Sequence, residues 1–443
     1  MNIYHPILTT MKQRYTLYLF LLVVINVQAQ QLYFPPTTGS TWDTLHPNSL
    51  NYCADRIDSL YEYLDQTDSK AFILLKDGKI VLERYFDNFT QDSVWYWASA
   101  GKSLTACLVG IAQQEGFLSI EDTTSQYLGA GWTSASTAQE QAITIKNQLC
   151  MTTGLLDNGD CTLDTCLQYL TAAGSRWAYH NAPYTLLDQV LEQATGRTLN
   201  TYLFQKVKQI TGMTGLYLPL GYNNVYWSNA RSMARFGLLG LNHGNWDGTP
   251  VLTDTSYFRA MTTPSQNLNP AYGYLWWLNG QSSYQLPGLP LNINGPLNPN
   301  APSDLIMALG KNGQAVNIVP SQNLVWIRMG NAPVGSNILH QYNDSIWIKI
   351  NQLDCSTNNT TKLLAPANLH LYPNPTNSVV QVQSEQAIGQ WQLHNSLGQV
   401  VQAGSKSGQQ AFQVDLSQLP QGCYYLKVTY ENGQRAVYTV LRE

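Results

Sequence analysis

A chain of 443 residues is long enough to bury a sizeable core and to divide into two or three domains. Hydrophobic residues make up 44% and charged residues only 12%, about half the usual share, a globular balance that suits an exported protein better than a cytosolic one. A formal charge of -4 without any basic run excludes nucleic acid as a partner.

The first 29 residues read as a secretory signal peptide. Lys12-Gln13-Arg14 precede an apolar run over 17–24, and Val27-Gln28-Ala29 offer a small-residue cleavage site. Met11 stays open as an alternative start. No second run of about 18 apolar residues follows, and no cysteine sits at the cleavage point for a lipid, so the mature protein is expected outside the inner membrane without a span.

Leu50, Cys53, Ile57, Leu60 and Leu64 then mark a helix with one apolar stripe. Residues 71–75 and 80–86 flank Asp77-Gly78, a hairpin signal. A helix opens near Ser99, and 116–180 reads as loop and short helix. Further helices are expected from Pro183 to Gly196, over 199–210 to a stop at Gly212, and over 230–241. Residues 271–279 alternate aromatic side chains and predict a strand; 305–309, 315–319 and 324–329 predict three more, closed by a helix over 337–353. This order implies an α+β fold, an antiparallel β-sheet flanked by terminal helices with a large helical insertion. The α+β region is bounded at 30–352, a polar linker at 353–366, and a small C-terminal β-sandwich at 367–443.

Chemistry is concentrated in Ala98-Ser99-Ala100-Gly101-Lys102-Ser103, the only S-x-x-K in the chain. A hydroxyl and an amine at this spacing stack on one helix face. A serine hydroxyl needs an adjacent base, and a lysine serves only if burial depresses its usual pKa of about 10.4. Tyr179-His180-Asn181 offers a phenol and an amide from one extended stretch, and Lys311-Asn312-Gly313 sits at a strand edge before Gln314. Y-x-N and K-x-G each recur elsewhere in the chain, so order and spacing carry the signal.

That order resembles the serine β-lactamase and penicillin-binding superfamily over about residues 50–352. Within it, Y-x-N and the 227–237 stretch look like the class C-related esterases and 6-aminohexanoate-dimer hydrolases. The resemblance implies an acyl-enzyme on Ser99, with Lys102 and Tyr179 sharing its proton and Asn181 orienting Lys102 and the substrate. It implies an oxyanion hole from the Ser99 and Gln314 amides, and a Lys311 that holds Tyr179 near ionisation or binds a carboxylate. Trp97, Tyr272, Trp276, Asn312 and Gly313, with Arg259, are the candidate pocket residues. Asn312 stands where the lactamase pattern has Thr or Ser, and no E-x-x-L-N occurs, so the class A deacylation route is absent. The tail stretches 371–376 and 419–428 resemble the C-terminal sorting domain of type IX secretion, which implies passage across the outer membrane to the medium or cell surface.

The other readings are weaker. A phosphate loop would need Gly where Tyr96 stands, no G-x-S-x-G occurs, and the seven histidines lack ligand spacing, so no metal or cofactor is expected. Asp157, Asp160 and Asp164 read as a solvated acidic loop. Spacing does not fix cysteine connectivity; Cys161 with Cys166 and Cys53 with Cys355 are the candidate pairs, and Cys107 reads as a buried thiol. The expectation is therefore an exported serine hydrolase acting on a small ester or amide. A D-Ala-D-Ala peptidase and a catalytically silent binding protein are the alternatives.

Overall fold

The computed structural model describes residues 32–158, 161–331, 339–355, 369–395, 399–431 and 435–443. The expected signal peptide and most of the expected linker lie outside the described residues, as does Asp160. The chain forms two compact units, one of residues up to 47 with 58–350, the other of 48–57 with 351–443.

The larger unit is built on a six-stranded sheet in the order Lys79–Tyr85, Ser69–Lys76, Leu324–Gly330, Gln314–Val319, Ile306–Gly310, Trp277–Leu278. Its pairings are antiparallel, with Ile73 opposite both Glu83 and Ile327. Asp77 and Gly78 turn the first hairpin at φ 53° and 82°, the left-handed pair such a tight turn requires. The helices Ala54–Gln66 and Leu339–Asn351 meet through Tyr63 and Tyr342, whose rings lie 6.1 Å apart, and through Lys349 donating to Ser59 at 3.1 Å. The helix Ala230–Leu241 is capped by Asn229, which accepts from the Ser232 amide at 2.8 Å. It lies so close on the strands that a Cβ on Gly237 would fall 2.5 Å from Val325.

Helix ends follow their signals: Asn181–Thr195 stops at Gly196 (φ 65°), and the helical run from Leu199 stops at Gly212 (φ 70°). The expected strand over 271–279 is not one. Gly273 packs so tightly that a Cβ would lie 2.2 Å from the Met261 carbonyl, and Leu275 takes φ 60°. The chain therefore doubles back, the Gly273 amide bonding the Trp276 carbonyl, and only Trp277–Leu278 joins the sheet. Three hairpins come without a sequence expectation: Leu216–Leu220 with Asn223–Ser228, Asn245–Trp246 with Thr249–Pro250, and Ser283–Leu286 with Leu289–Asn294.

In the smaller unit the expected sandwich is one five-stranded antiparallel sheet that curls on itself. The long strand Val379–His394 breaks register between Gln383 and Ile388, pairing Leu369–Tyr372 before the break and Gly422–Tyr430 after it. The curl buries Val380, Val382, Leu393, Phe412, Leu426 and Val428. Cys53 is bonded to Cys355 with Cα atoms 5.8 Å apart; in the larger unit Cys161 is bonded to Cys166 at 5.9 Å.

Candidate active site

Ser99 sits in the tight 3-10 turn Ala98–Ala100 that feeds the helix Gly101–Gln114. Ahead of it, Trp95–Tyr96 pairs with the strand Asn223–Ser228, and the Trp97 indole donates to the Ser228 hydroxyl at 2.8 Å. Ala98 follows at φ 48°, a strained conformation for a residue with a Cβ, at the one step where strand becomes helix. The helix is buried from Gly101 to Ala112, so the turn is held from both sides.

Lys102 is 4% exposed, and its Nζ donates to Ser99 Oγ at 3.4 Å. The ammonium lies 3.9 Å from the centre of the Tyr184 ring and 5.4 Å from that of Tyr179. Burial drives its pKa down to about 7, against the pull of the Asp188 carboxylate. Burial thus favours the neutral amine, the form able to accept a proton, far more than in an exposed lysine.

Tyr179 enters from an extended stretch pinned to Met151, with the Ala178 amide donating to the Met151 carbonyl at 2.9 Å. Its ring stacks on Trp277 at 6.0 Å and meets Tyr272 edge-on at 6.2 Å. Burial pushes the phenol well above its ordinary pKa, and a hydrogen bond to Ser99 opposes the shift. Burial, opposed by Ser99, sets the direction of the Tyr179 shift, and it keeps the phenol protonated. Asn181 opens the next helix and presents a buried Oδ1 without a protein partner to the same cavity.

A cavity of about 500 Å³ opens over these groups, lined by Ser99, Tyr179, Asn181 and Lys311 at its polar end. Trp277, Leu286, Pro287, Leu289, Leu297 and Leu309 form its apolar wall, and His340 completes the lining. Among the described residues, the strand Ile306–Gly310 has its outer edge paired only at Ile306 and Met307. Past that point its backbone borders Ser99: a Cβ on Gly310 would lie 3.1 Å from the Ser99 nitrogen and 2.9 Å from that of Ala100.

Several expected pocket residues stand elsewhere. Trp97 and Trp276 are core side chains, the latter stacked on Phe236 at 5.6 Å. Tyr272 is 1% exposed and backs Tyr179 from behind. Asn312 (φ 65°) turns its amide to the Tyr96 hydroxyl, and a Cβ on Gly313 would point at Arg328 and Tyr342. The Gln314 side chain accepts from the Gly330 amide at 3.1 Å, tying two strands together. Gln314 faces Gly310 across the hairpin, at the strand end where Gly310 abuts the Ser99 amide, so its main chain stays at the site while its side chain turns to Gly330. Arg259 is exposed on a separate surface. Asp157 is not a free solvated acid; it pairs with Arg176 at 2.7 Å. His180 is buried with neither ring nitrogen hydrogen-bonded, which lowers its pKa to about 4 and keeps it neutral.

Residues 57–343 match the Beta-lactamase family model, a span of more than half the chain. The chain belongs to the Beta-lactamase family. Residues 370–440 match the secretion system C-terminal sorting domain. An uncharacterized protein of Alkalihalophilus pseudofirmus is 27% identical over 319 residues, covering 63% of this chain and 89% of its own. A Bacillus anthracis protein provisionally assigned as a 6-aminohexanoate-dimer hydrolase shares the fold at a TM-score of 0.56 and 19% identity, over 72% of this chain and 88% of that one. EstCE1, described as a hydrolase with promiscuous acyltransferase activity, does so at 0.51 and 13%, over 69% and 99%. The family fold thus accounts for the sheet, the flanking helices and the Ser99 turn. Trp277, Leu286, Pro287 and Leu289, which sequence reading missed, belong to the chain reversal at Gly273 and to the 283–294 hairpin. Pro287-Gly288 between two leucines was the available turn signal for that hairpin.

Proposed function

We propose that this chain is an exported serine hydrolase that cleaves small esters or amides through an acyl-enzyme on Ser99. The observation that carries the reading is the convergence of the Ser99 hydroxyl, a Lys102 amine brought to about 7 and the protonated Tyr179 phenol at the polar end of one cavity. Neutral Lys102 takes the proton from Ser99 as Oγ bonds to the carbonyl carbon. The charge that develops on the carbonyl oxygen is held by the Ser99 amide and by a backbone donor of the strand edge at Gly310–Lys311, the segment beside that amide. As the bond to the leaving group breaks, Tyr179 gives its proton to the departing oxygen or nitrogen and is refilled from the Lys102 ammonium. Water then attacks the acyl carbon, its proton passes back along the same pair, and Ser99 leaves protonated. Asn181 Oδ1 is free to accept from a substrate amide or from that water.

The tail match supports export through type IX secretion, ending in the medium or at the cell surface. A fluorophosphonate probe is expected to label the wild type and spare Ser99→Ala, with turnover of a chromogenic ester lost in parallel. Labelling that is equal in both, or absent from both together with any ester turnover, defeats the reading.

A further inference from the structure

The proposed chemistry uses only the polar end of the cavity. Its other side is a wall that the reaction does not need, and half of that wall comes from one hairpin. Leu286, Pro287 and Leu289 from the 283–294 hairpin line the cavity together with Leu297, Leu309 and Trp277. Leu289 is 40% exposed and its neighbour Leu291 is 62% exposed, so apolar side chains stand uncovered at the mouth of a catalytic cavity.

The hairpin is also clamped in place. The fully buried Asn269 side chain accepts from the Gln285 amide at 3.1 Å and donates to the Gln285 carbonyl at 3.3 Å, imitating a strand neighbour. Gln285 Nε2 adds bonds to the Leu268 carbonyl at 3.1 Å and to Asn292 at 2.9 Å. Tyr284 packs its ring on His340 at 5.5 Å. These contacts fix Leu286 beside the cavity, as a recognition wall requires.

Charge narrows the ligand further. Among the described lining residues there is no carboxylate, and the ionisable ones are Tyr179, Lys311 and His340. Burial lowers the pKa of His340, so its ring is neutral at pH 7. The wall offers apolar contact along its length and a single cation at its polar end.

We propose that the substrate is an ester carrying an extended apolar chain, and that the 283–294 hairpin is the element that recognises that chain. This rests on the hydrolase reading above. Each methylene buried against the wall is expected to raise kcat/KM about fourfold until the cavity is full. Asn269 is a positioning residue, acting on the chain through Gln285 and Leu286.

Two substrate series test it: p-nitrophenyl esters of lengthening acyl chains, and acetates of lengthening alcohols, each beside a counterpart ending in a carboxylate. Labelling by a fluorophosphonate is measured on the same preparations. A rise with length in either series, with the carboxylate counterpart slower, is the expected result and shows which side of the ester the wall holds. Leu286→Asn and Leu289→Asn are expected to cut the long-to-short ratio of kcat/KM about tenfold or more. Asn269→Ala is expected to cut the same ratio while Ser99 still labels. A flat profile in both series, or a preference for the carboxylate counterpart, overturns the proposal; with labelling intact the hydrolase reading survives it. Loss of labelling and turnover together in the wild type removes both.

Discussion

Asp188 shows how much one side chain changes the chemistry beside it. It lies one helical turn beyond Tyr184, the residue whose ring carries the Lys102 ammonium, and neither carboxylate oxygen makes a hydrogen bond of ordinary geometry. Burial raises its pKa to about 8, while Asn224 and Lys102 favour the charged form. The carboxylate in turn favours charged Lys102, against burial. Because the neutral amine is the base, kcat/KM of the wild type is expected to rise with pH through about 7 and level off above it. To the extent that Asp188 is ionised it is the one group that raises the Lys102 pKa, so Asp188→Asn is expected to move the pH–rate limb to lower pH; a limb that moves to higher pH contradicts this. The stability effect has its own sign. The folded state holds a proton on Asp188 up to about 8 that the unfolded chain releases near 3.8, so this group weakens folding as pH rises across that window. Urea titrations of Asp188→Asn should therefore show a variant more stable than wild type, the gap growing as pH rises toward 8.

At the scale of elements, the proposed oxyanion site depends on how closely the strand Ile306–Gly310 approaches the Ser99 turn. A methyl on Gly310 would sit 2.4 Å from the Trp97 carbonyl, which is backbone and cannot step aside. Gly310→Ala is expected to push the strand edge off the Ser99 amide and lower kcat by roughly 10²-fold, the usual result of a shift of about 1 Å. Its circular dichroism should stay native, because the change lies at the last residue of a strand; an unaltered kcat would show that this edge is not part of the site. These elements differ in how far they could be read from sequence. The Ser99 turn, the Pro183 helix and the strands after Leu305 were legible because S-x-x-K stacking, helix-stopping glycines and apolar alternation are local signals. The pocket wall was not. Alternation over 271–279 pointed to Trp276, but the reversal forced by Gly273 and Leu275 gives that ring to the core and Trp277 to the cavity. K-x-G likewise marked the right hairpin, but only packing reveals that Gly310 lies against Ser99. Asp188 reads in the sequence as one more residue of an amphipathic helix, and its missing partners are a tertiary fact.

At the scale of the whole chain, chemistry and destination belong to different units. The curled sheet has its own core, and its entry turn is closed from within: the Asn374 amide donates to the Thr439 carbonyl at 2.8 Å, and its oxygen accepts from the Leu441 amide at 2.8 Å. The Cys53–Cys355 bond is complete before that sheet begins at Leu369. It closes a loop of 302 residues, and such a bond is worth about 2–4 kcal/mol by restricting the unfolded chain. A chain ending after Cys355 therefore keeps every cavity residue, the central sheet and this cross-link. It is expected to label at Ser99 at the full rate yet stay within the cell envelope, while the complete chain reaches the medium or the cell surface. Fractionation with probe labelling on both fractions checks this, and mass spectrometry of the external protein should find the curled sheet removed. Equal export of the shortened chain, or an external protein still carrying 367–443 intact, would strip the tail of its sorting role and leave the hydrolase unit unaffected.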